Sequence, residues 1–284
     1  MDHSPIHGEE SFKTQDGLSL FVQWWLPESG TKAAVVIVHG YAEHSSRYAQ
    51  VAGTLTQNGY AVYSFDLRGH GRSEGERVFA DIFAKHFLDI EDVLAGVRKK
   101  EGARKIFLLG HSLGGTIVTL FAISRRPNIA GLILSAPYLK FPSNIWPLRF
   151  KFVRFISSII PGFPVTEKIN GHFISNDPQL IDNYETDPLI YHRPIQAQEA
   201  LEIMRAVETV QARMKELILQ FIILQGALDK LVNIKGSREL YAQAVSQDKT
   251  LKIYPGLYHE LLNDPKNDIL IADLVKWLDS HIIL

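Results

Sequence analysis

The sequence predicts an α/β protein with a mostly parallel central sheet flanked by helices and a helical segment inserted before the last strands. Three observations carry this. Short apolar runs alternate with helical patterns, one such run leads through a glycine-flanked serine into a helix, and one long stretch lacks strands altogether. The runs Ala33–Val38, Ala61–Phe65, Lys105–Leu109, Gly131–Ser135, Phe221–Leu224 and Thr250–Tyr254 are short and largely apolar. They are rich in β-branched or aromatic residues, as strands buried on both faces require. Helical patterns fall at Arg47–Gln57, Lys85–Lys100, Leu113–Ser124, Ile234–Val245 and Asp268–His281. Leu18–Leu26 alternates and is expected to form an antiparallel edge pair with the residues before it.

Between about Tyr138 and Met214 the rhythm breaks into a Pro-rich, mostly helical segment. A connection that long inside one domain is usually functional. We therefore expect a single domain over residues 1–284, with a helical cap (lid) over 138–216.

Composition narrows the function. Thirty basic and 31 acidic residues leave a formal charge of -1, which argues against nucleic acid as a partner. With no cysteine, disulfides, thiolate metal sites and cysteine nucleophiles are excluded. No metal or organic cofactor is expected. The N-terminus lacks the basic and apolar regions of a signal peptide, and no apolar run is long enough to span a bilayer. The expected location is the cytoplasm, with peripheral contact at membranes or lipid droplets left open. Oligomeric state is not legible.

The chemistry begins at Gly110-His111-Ser112-Leu113-Gly114-Gly115, where an apolar strand ends and a helix starts. A tight turn there would hold the Ser112 hydroxyl above the sheet, with the helix N-terminus close to a developing oxyanion. A second match to the same pattern, Gly71-Arg72-Ser73-Glu74-Gly75, lacks the preceding strand and following helix, so Ser73 is read as a loop residue. Chain order then requires an acid and a histidine further on. Asp229 lies just beyond the run Phe221–Leu224, although a turn role is the commoner fate of such a residue. Of eleven histidines, His259 alone follows the last strand in a short loop. His3 and His7 are expected in a mobile terminus, and His39, His44, His70 and His111 in glycine-rich turns. The candidate set is Ser112 as nucleophile, His259 as base and Asp229 as its orienting acid. Backbone N–H groups of Tyr41, after the strand Ala33–Val38, and Leu113 are the candidate oxyanion donors.

The stretch His39–Tyr48, the Asp66–Ser73 loop, the Gly110–Gly115 elbow, Asp187-Pro188-Leu189-Ile190, Ser246–Tyr254, Asp229 and His259 together resemble the monoacylglycerol lipase family. The resemblance implies an α/β-hydrolase fold and a serine hydrolase releasing glycerol and free fatty acid through an acyl-enzyme. It also implies Glu43 and Arg47 as polar contacts to a glycerol-like alcohol; by themselves they could equally form a surface ion pair. Tyr41 and Ala42 depart from the family, which often has smaller residues and glycine there. Phe141–Phe163 spreads apolar residues over roughly 200° of a helix, with Lys151, Arg154, Ser157 and Ser158 on the remaining arc. Trp146 and Phe150 are the candidates there for contact with substrate or lipid, against the plain reading of a buried helix. The alternatives are a lysophospholipase, thioesterase or broad carboxylesterase with the same triad, or a binding protein on the same fold.

Overall fold

The computed structural model describes residues 5–76, 82–142 and 147–282. Its eight strands form one sheet: β1 (Ile6–Lys13), β2 (Ser19–Leu26), β3 (Ala33–Val38), β4 (Tyr60–Phe65), β5 (Ile106–His111), β6 (Gly131–Ser135), β7 (Phe221–Gly226) and β8 (Lys249–Tyr254). The spatial order is β1-β2-β4-β3-β5-β6-β7-β8. β1 and β2 run antiparallel, as do β2 and β4, and every later pairing is parallel.

Every residue of β3 to β7 is buried, which explains why these strands read as continuous apolar runs instead of alternating ones. Alternation reappears in which layer each side chain joins. Ala34, Val36 and Val38 of β3 enter one core with Ile106 and Leu108 of β5, beneath α2 (Ile82–Glu101) and α3 (Leu113–Arg125). Val35 and Ile37 enter the other with Phe107 and Leu109, beneath α1 (Ala49–Gln57) and α9 (Asp268–Ile282). A one-residue slip of any inner strand would exchange its whole set between the layers, so the two cores fix the register.

Boundaries differ from expectation in small ways. The helix expected from Arg47 opens as a 3-10 turn, Ser45–Tyr48, before α1. His7, expected in a mobile terminus, sits in β1, where its ring stacks on Trp25 at 5.1 Å. β1 is mostly exposed, so its pairing with β2 and not an apolar pattern defines it, and sequence periodicity could not show it.

Between β6 and β7 the chain carries α4 (Pro147–Ile159), α5 (Gly171–Ile174), α6 (Pro178–Thr186) and α7 (Ala197–Arg213). The last of these packs on both α3 and α4, so it joins the insertion to the sheet layer. Several hydrogen bonds tie the insertion to the body; among them, Tyr191 N–H donates to Ala42 C=O at 2.9 Å, and the N–H of His259 donates to Ile174 C=O at 3.1 Å. The remaining helix is α8 (Ile234–Gln243), whose N-cap Asn233 accepts from Lys235 N–H.

Gly114, in the first turn of α3, shows how closely the layers approach. A Cβ there would lie 2.2 Å from the carbonyl oxygen of Val38 and 2.4 Å from that of His39. Both obstacles are backbone and cannot swing aside. Gly114→Ala should therefore cost about 2–3 kcal/mol, read as a lower midpoint in thermal unfolding. A midpoint equal to that of the parent would show that α3 can lift off β3 freely.

Candidate active site

Ligand sites in such sheets form beyond the carboxyl ends of the strands. Here those ends of β3, β5, β7 and β8 lead to Gly40, Ser112, Asp229 and His259 respectively. Ser112 joins β5 to α3 with φ 52° and ψ −117°, a conformation L residues rarely adopt. Close neighbours enforce it: Ser112 N–H donates to Ser135 C=O at 2.9 Å, and a Cβ on Gly110 would meet Gly114 backbone at 2.5 Å. The elbow geometry thus arises from glycines packed against backbone on either side of the serine.

Asp229 and His259 meet over the ends of β7 and β8. His259 Nδ1 lies 2.8 Å from Asp229 Oδ2, both side chains being almost wholly buried. Asp229 also accepts from the N–H groups of Leu231 and Val232 through Oδ1 and from Gln225 Nε2 through Oδ2. Burial opposes its ionisation, but His259 and these donors outweigh it and hold the carboxyl below the usual aspartate range. Burial likewise opposes a charged His259, yet the Asp229 carboxylate prevails and raises the imidazole above its ordinary value.

Ser112 and His259 line one cavity of about 190 Å³ with Tyr41 and Leu113, the expected oxyanion donors. The loop bearing Tyr41 is held from behind. Gly40 N–H donates to Glu43 Oε1, and His39 bridges the Gly40 carbonyl and the Leu67 N–H. Burial pushes the His39 pKa down. In the neutral ring those contacts place the proton on Nδ1, donating to Gly40 C=O while Nε2 accepts. Ala42 has φ 64°, a conformation that favours glycine and marks a strained residue in this chain.

Glu43 and Arg47 do not form a surface pair. Arg47 Nε lies 3.1 Å from Glu43 Oε2, and another guanidinium nitrogen lies 3.0 Å from Glu260 Oε2. All three side chains are buried. Glu43 also accepts from Tyr48 Oη–H at 2.8 Å. Arg47 is thus engaged by two carboxylates, while Glu43 and Glu260 reach the cavity wall. Burial would raise the Glu260 pKa, but Arg47 brings it down to about 2.

Phe150 does not line the cavity. Its ring packs on Phe141 at 4.9 Å, in a small cluster with Val153, Leu201 and Met204. Trp146 lies outside the described residues. Ser157, expected on the polar arc of its helix, is buried. Much of the wall went unnoticed in the sequence, Glu260, His111, Tyr184 and Ile174 among it. Glu260 directly follows His259, and that adjacency was the available signal. His111 closes β5, with its ring 4.9 Å from that of His259, and burial lowers its pKa. Ser73 has the loop role expected of it: its hydroxyl donates to Asp66 C=O and accepts from Phe21 N–H.

The sheet and its helical layers define an α/β-hydrolase. Residues 29–266 match the hydrolase family model described as "Serine aminopeptidase, S33". The chain is 30% identical over 279 residues to a monoacylglycerol lipase of Mycolicibacterium smegmatis, covering 98% of this chain and 99% of that one. It is 34% identical over 247 residues to the monoglyceride lipase of Homo sapiens, covering 87% and 81%. The crystal structure of Paleococcus ferrophilus monoacylglycerol lipase superposes with a TM-score of 0.81 at 28% identity, covering 92% of this chain and 99% of that one. The chain belongs to the monoacylglycerol lipase family of the α/β-hydrolase superfamily, and it is a carboxylic ester hydrolase.

Removing one partner of a buried ion cluster leaves uncompensated charge, which costs about 3–5 kcal/mol. Arg47→Met should destabilise the protein by that amount in urea unfolding. A loss below about 1 kcal/mol would fit an exposed pair instead.

Proposed function

We propose that this enzyme hydrolyses monoacylglycerols to glycerol and free fatty acid through Ser112, His259 and Asp229. The observation that carries the reading is the shared cavity, where Ser112 on its strained turn faces the same space as a His259 already bonded to Asp229. The near full-length likeness to monoacylglycerol lipases supports the substrate.

In this mechanism Ser112 Oγ attacks the ester carbonyl as its proton passes to His259 Nε2. Asp229 keeps the Nδ1 proton facing it and stabilises the imidazolium. The N–H groups of Tyr41 and Leu113 hold the oxyanion of the tetrahedral intermediate. Collapse breaks the bond to the alkoxide, which takes the proton from His259 and leaves as glycerol. Water then repeats the sequence on the acyl-enzyme, releasing the fatty acid and restoring Ser112. The helical insertion over 138–216 acts as the lid: it contributes Ile169, Ile174, Ile195 and Ile203 to the apolar wall that an acyl chain needs.

Purified enzyme should release fatty acid from monoacylglycerols and react with a fluorophosphonate probe. Ser112→Ala should abolish labelling and lower kcat by about 10³-fold or more. Since His259 works as a base only when neutral and its pKa is raised, kcat/KM should fall as pH drops through a value above 6.5. Asp229→Asn should move that acid limb to lower pH and reduce kcat by about 10⁴-fold. Undiminished labelling of Ser112→Ala, or an acid limb that stays put in Asp229→Asn, would defeat the assignment.

Lipid contact belongs to the outer face of α4. Phe152, Phe155 and Ile159 recur at helical spacing and are exposed, Phe155 by 62%. Ile160 and Phe163 extend the strip past the helix end. The opposite stripe, with Phe150 and Val153, packs on α7. One helix thus has two apolar faces, and only one is covered. An amphiphilic substrate resides in a bilayer or micelle, so we assign the uncovered face to that surface, with Lys151 beside it. Phe155→Ser with Ile159→Ser should weaken co-sedimentation with phosphatidylcholine–monoacylglycerol vesicles while activity on a soluble short-chain ester persists. Unaltered vesicle binding would remove α4 from the lipid contact.

A further inference from the structure

The cavity wall beside Ser112 is apolar on the side of the insertion, yet it carries two carboxylates. Glu43 and Glu260 both line it, whereas the guanidinium they share does not: Arg47 sits behind them. This places two carboxylates against one cation, with the surplus charge facing the substrate space. Glu43 is close to the chemistry, since a Cβ on Gly40 would lie 2.8 Å from Glu43 Oε1 and 3.1 Å from Ser112 Cβ. The carboxylate and the serine are therefore at most about 6 Å apart. Glu260 is 6% exposed, and its hydrogen-bonded contacts, Arg47 and Asn263, both fall on Oε2. Among the described residues no donor reaches its other oxygen, Oε1, which is available as an acceptor.

Resting on the ester-hydrolase reading above, we propose that Glu260, with Glu43, selects substrates by the charge of the leaving alcohol, admitting neutral or cationic alcohols and excluding anionic headgroups. A hydroxyl of a neutral polyol can donate to Glu260 Oε1. A phosphate, sulfonate or carboxylate in the same place would oppose two carboxylates in a poorly solvated pocket. The Arg47 guanidinium is already divided between them, so it offers such a group little. Two unit charges about 6 Å apart at an effective dielectric near 20 repel strongly enough to suppress binding by about tenfold or more. Of the enzymatic alternatives, hydrolysis of lysophospholipids with anionic headgroups and of acyl-coenzyme A thioesters falls on the excluded side, while neutral carboxylic esters stay on the admitted one.

The test uses three decanoyl esters, of choline, 3,3-dimethylbutanol and isethionate. They set a cation, a neutral group and an anion two carbons from the ester oxygen. Each kcat/KM is divided by the ester's own hydroxide-catalysed rate, which removes differences in leaving-group reactivity. In the wild-type enzyme the neutral and cationic esters should exceed the anionic one by about tenfold or more. Glu260→Gln should shrink that ratio severalfold, and Glu260→Asp, which keeps the charge, should preserve most of it. A wild-type ratio near one overturns the proposal, as does an unchanged ratio in folded Glu260→Gln. The wild-type ratio decides by itself whether anions are excluded if Glu260→Gln does not fold, and loss of the ratio in Glu260→Asp would assign it to shape instead. Monodecanoylglycerol is run alongside: no turnover of it, with the neutral ester still cleaved, would sink the monoacylglycerol reading and leave the charge test intact.

Discussion

One buried cation organises the catalytic end of this molecule. Arg47, at the opening of the first helix, pairs with Glu43 on the loop after β3 and with Glu260 on the loop after β8. Those loops carry Tyr41 and His259, which come from strands on either side of β5. Nothing in the backbone ladder joins them directly. Desolvating three charges costs several kcal/mol per ion, and mutual attraction offsets this only when the geometry is satisfied throughout. Glu43 meets that condition through Gly40 N–H and Tyr48 Oη–H, and Glu260 through Asn263. The cluster therefore works as a spacer of defined length between the loops, and its penalty for distortion is steep.

Strain collects at the same end. Of the four described non-glycine residues with positive φ, Ala42, Ser112 and Ala136 lie at the carboxyl ends of β3, β5 and β6; the fourth, Arg126, follows the end of α3. Such conformations persist only where the surroundings over-determine them. The surroundings here are close backbone approaches: Gly114 against the Val38 and His39 carbonyls, and Gly226, whose added Cβ would meet the Tyr258 carbonyl at 2.1 Å. Glycine is needed at those crossings because no side chain fits, and the strain it permits is what sets Ser112 above the sheet.

The sheet was legible because burial on both faces leaves an unmistakable apolar run, and the boundaries of β3 and β6 agree with the sequence reading to the residue. The elbow was legible because its chemistry demands a strand, a turn and a helix in that order. What escaped notice depends on contacts between distant segments. Nothing near Arg47 in the chain announces Glu260, and a Glu-Arg pair four residues apart looks the same whether it faces solvent or a buried carboxylate. Which stripe of α4 is covered escaped for a related reason: composition shows that a helix is apolar nearly all round, but only the position of α7 decides which part is packed. Phe150 fell on the covered stripe for that reason.

Charge counting ties the mechanism to the wall that surrounds it. Before reaction, Asp229, Glu43 and Glu260 face a single guanidinium and a neutral His259, so the centre carries an excess of negative charge. Formation of the tetrahedral intermediate adds a positive imidazolium and a negative oxyanion together, leaving that excess unchanged. Reaction of a neutral ester thus redistributes charge without increasing it, and the carboxylates that steady the imidazolium sit where they already were. An anionic leaving group would add to the excess in the ground state and keep it there throughout. The surplus carboxylate that raises the basicity of His259 is therefore the same feature that sets the charge of the alcohol this site can accept.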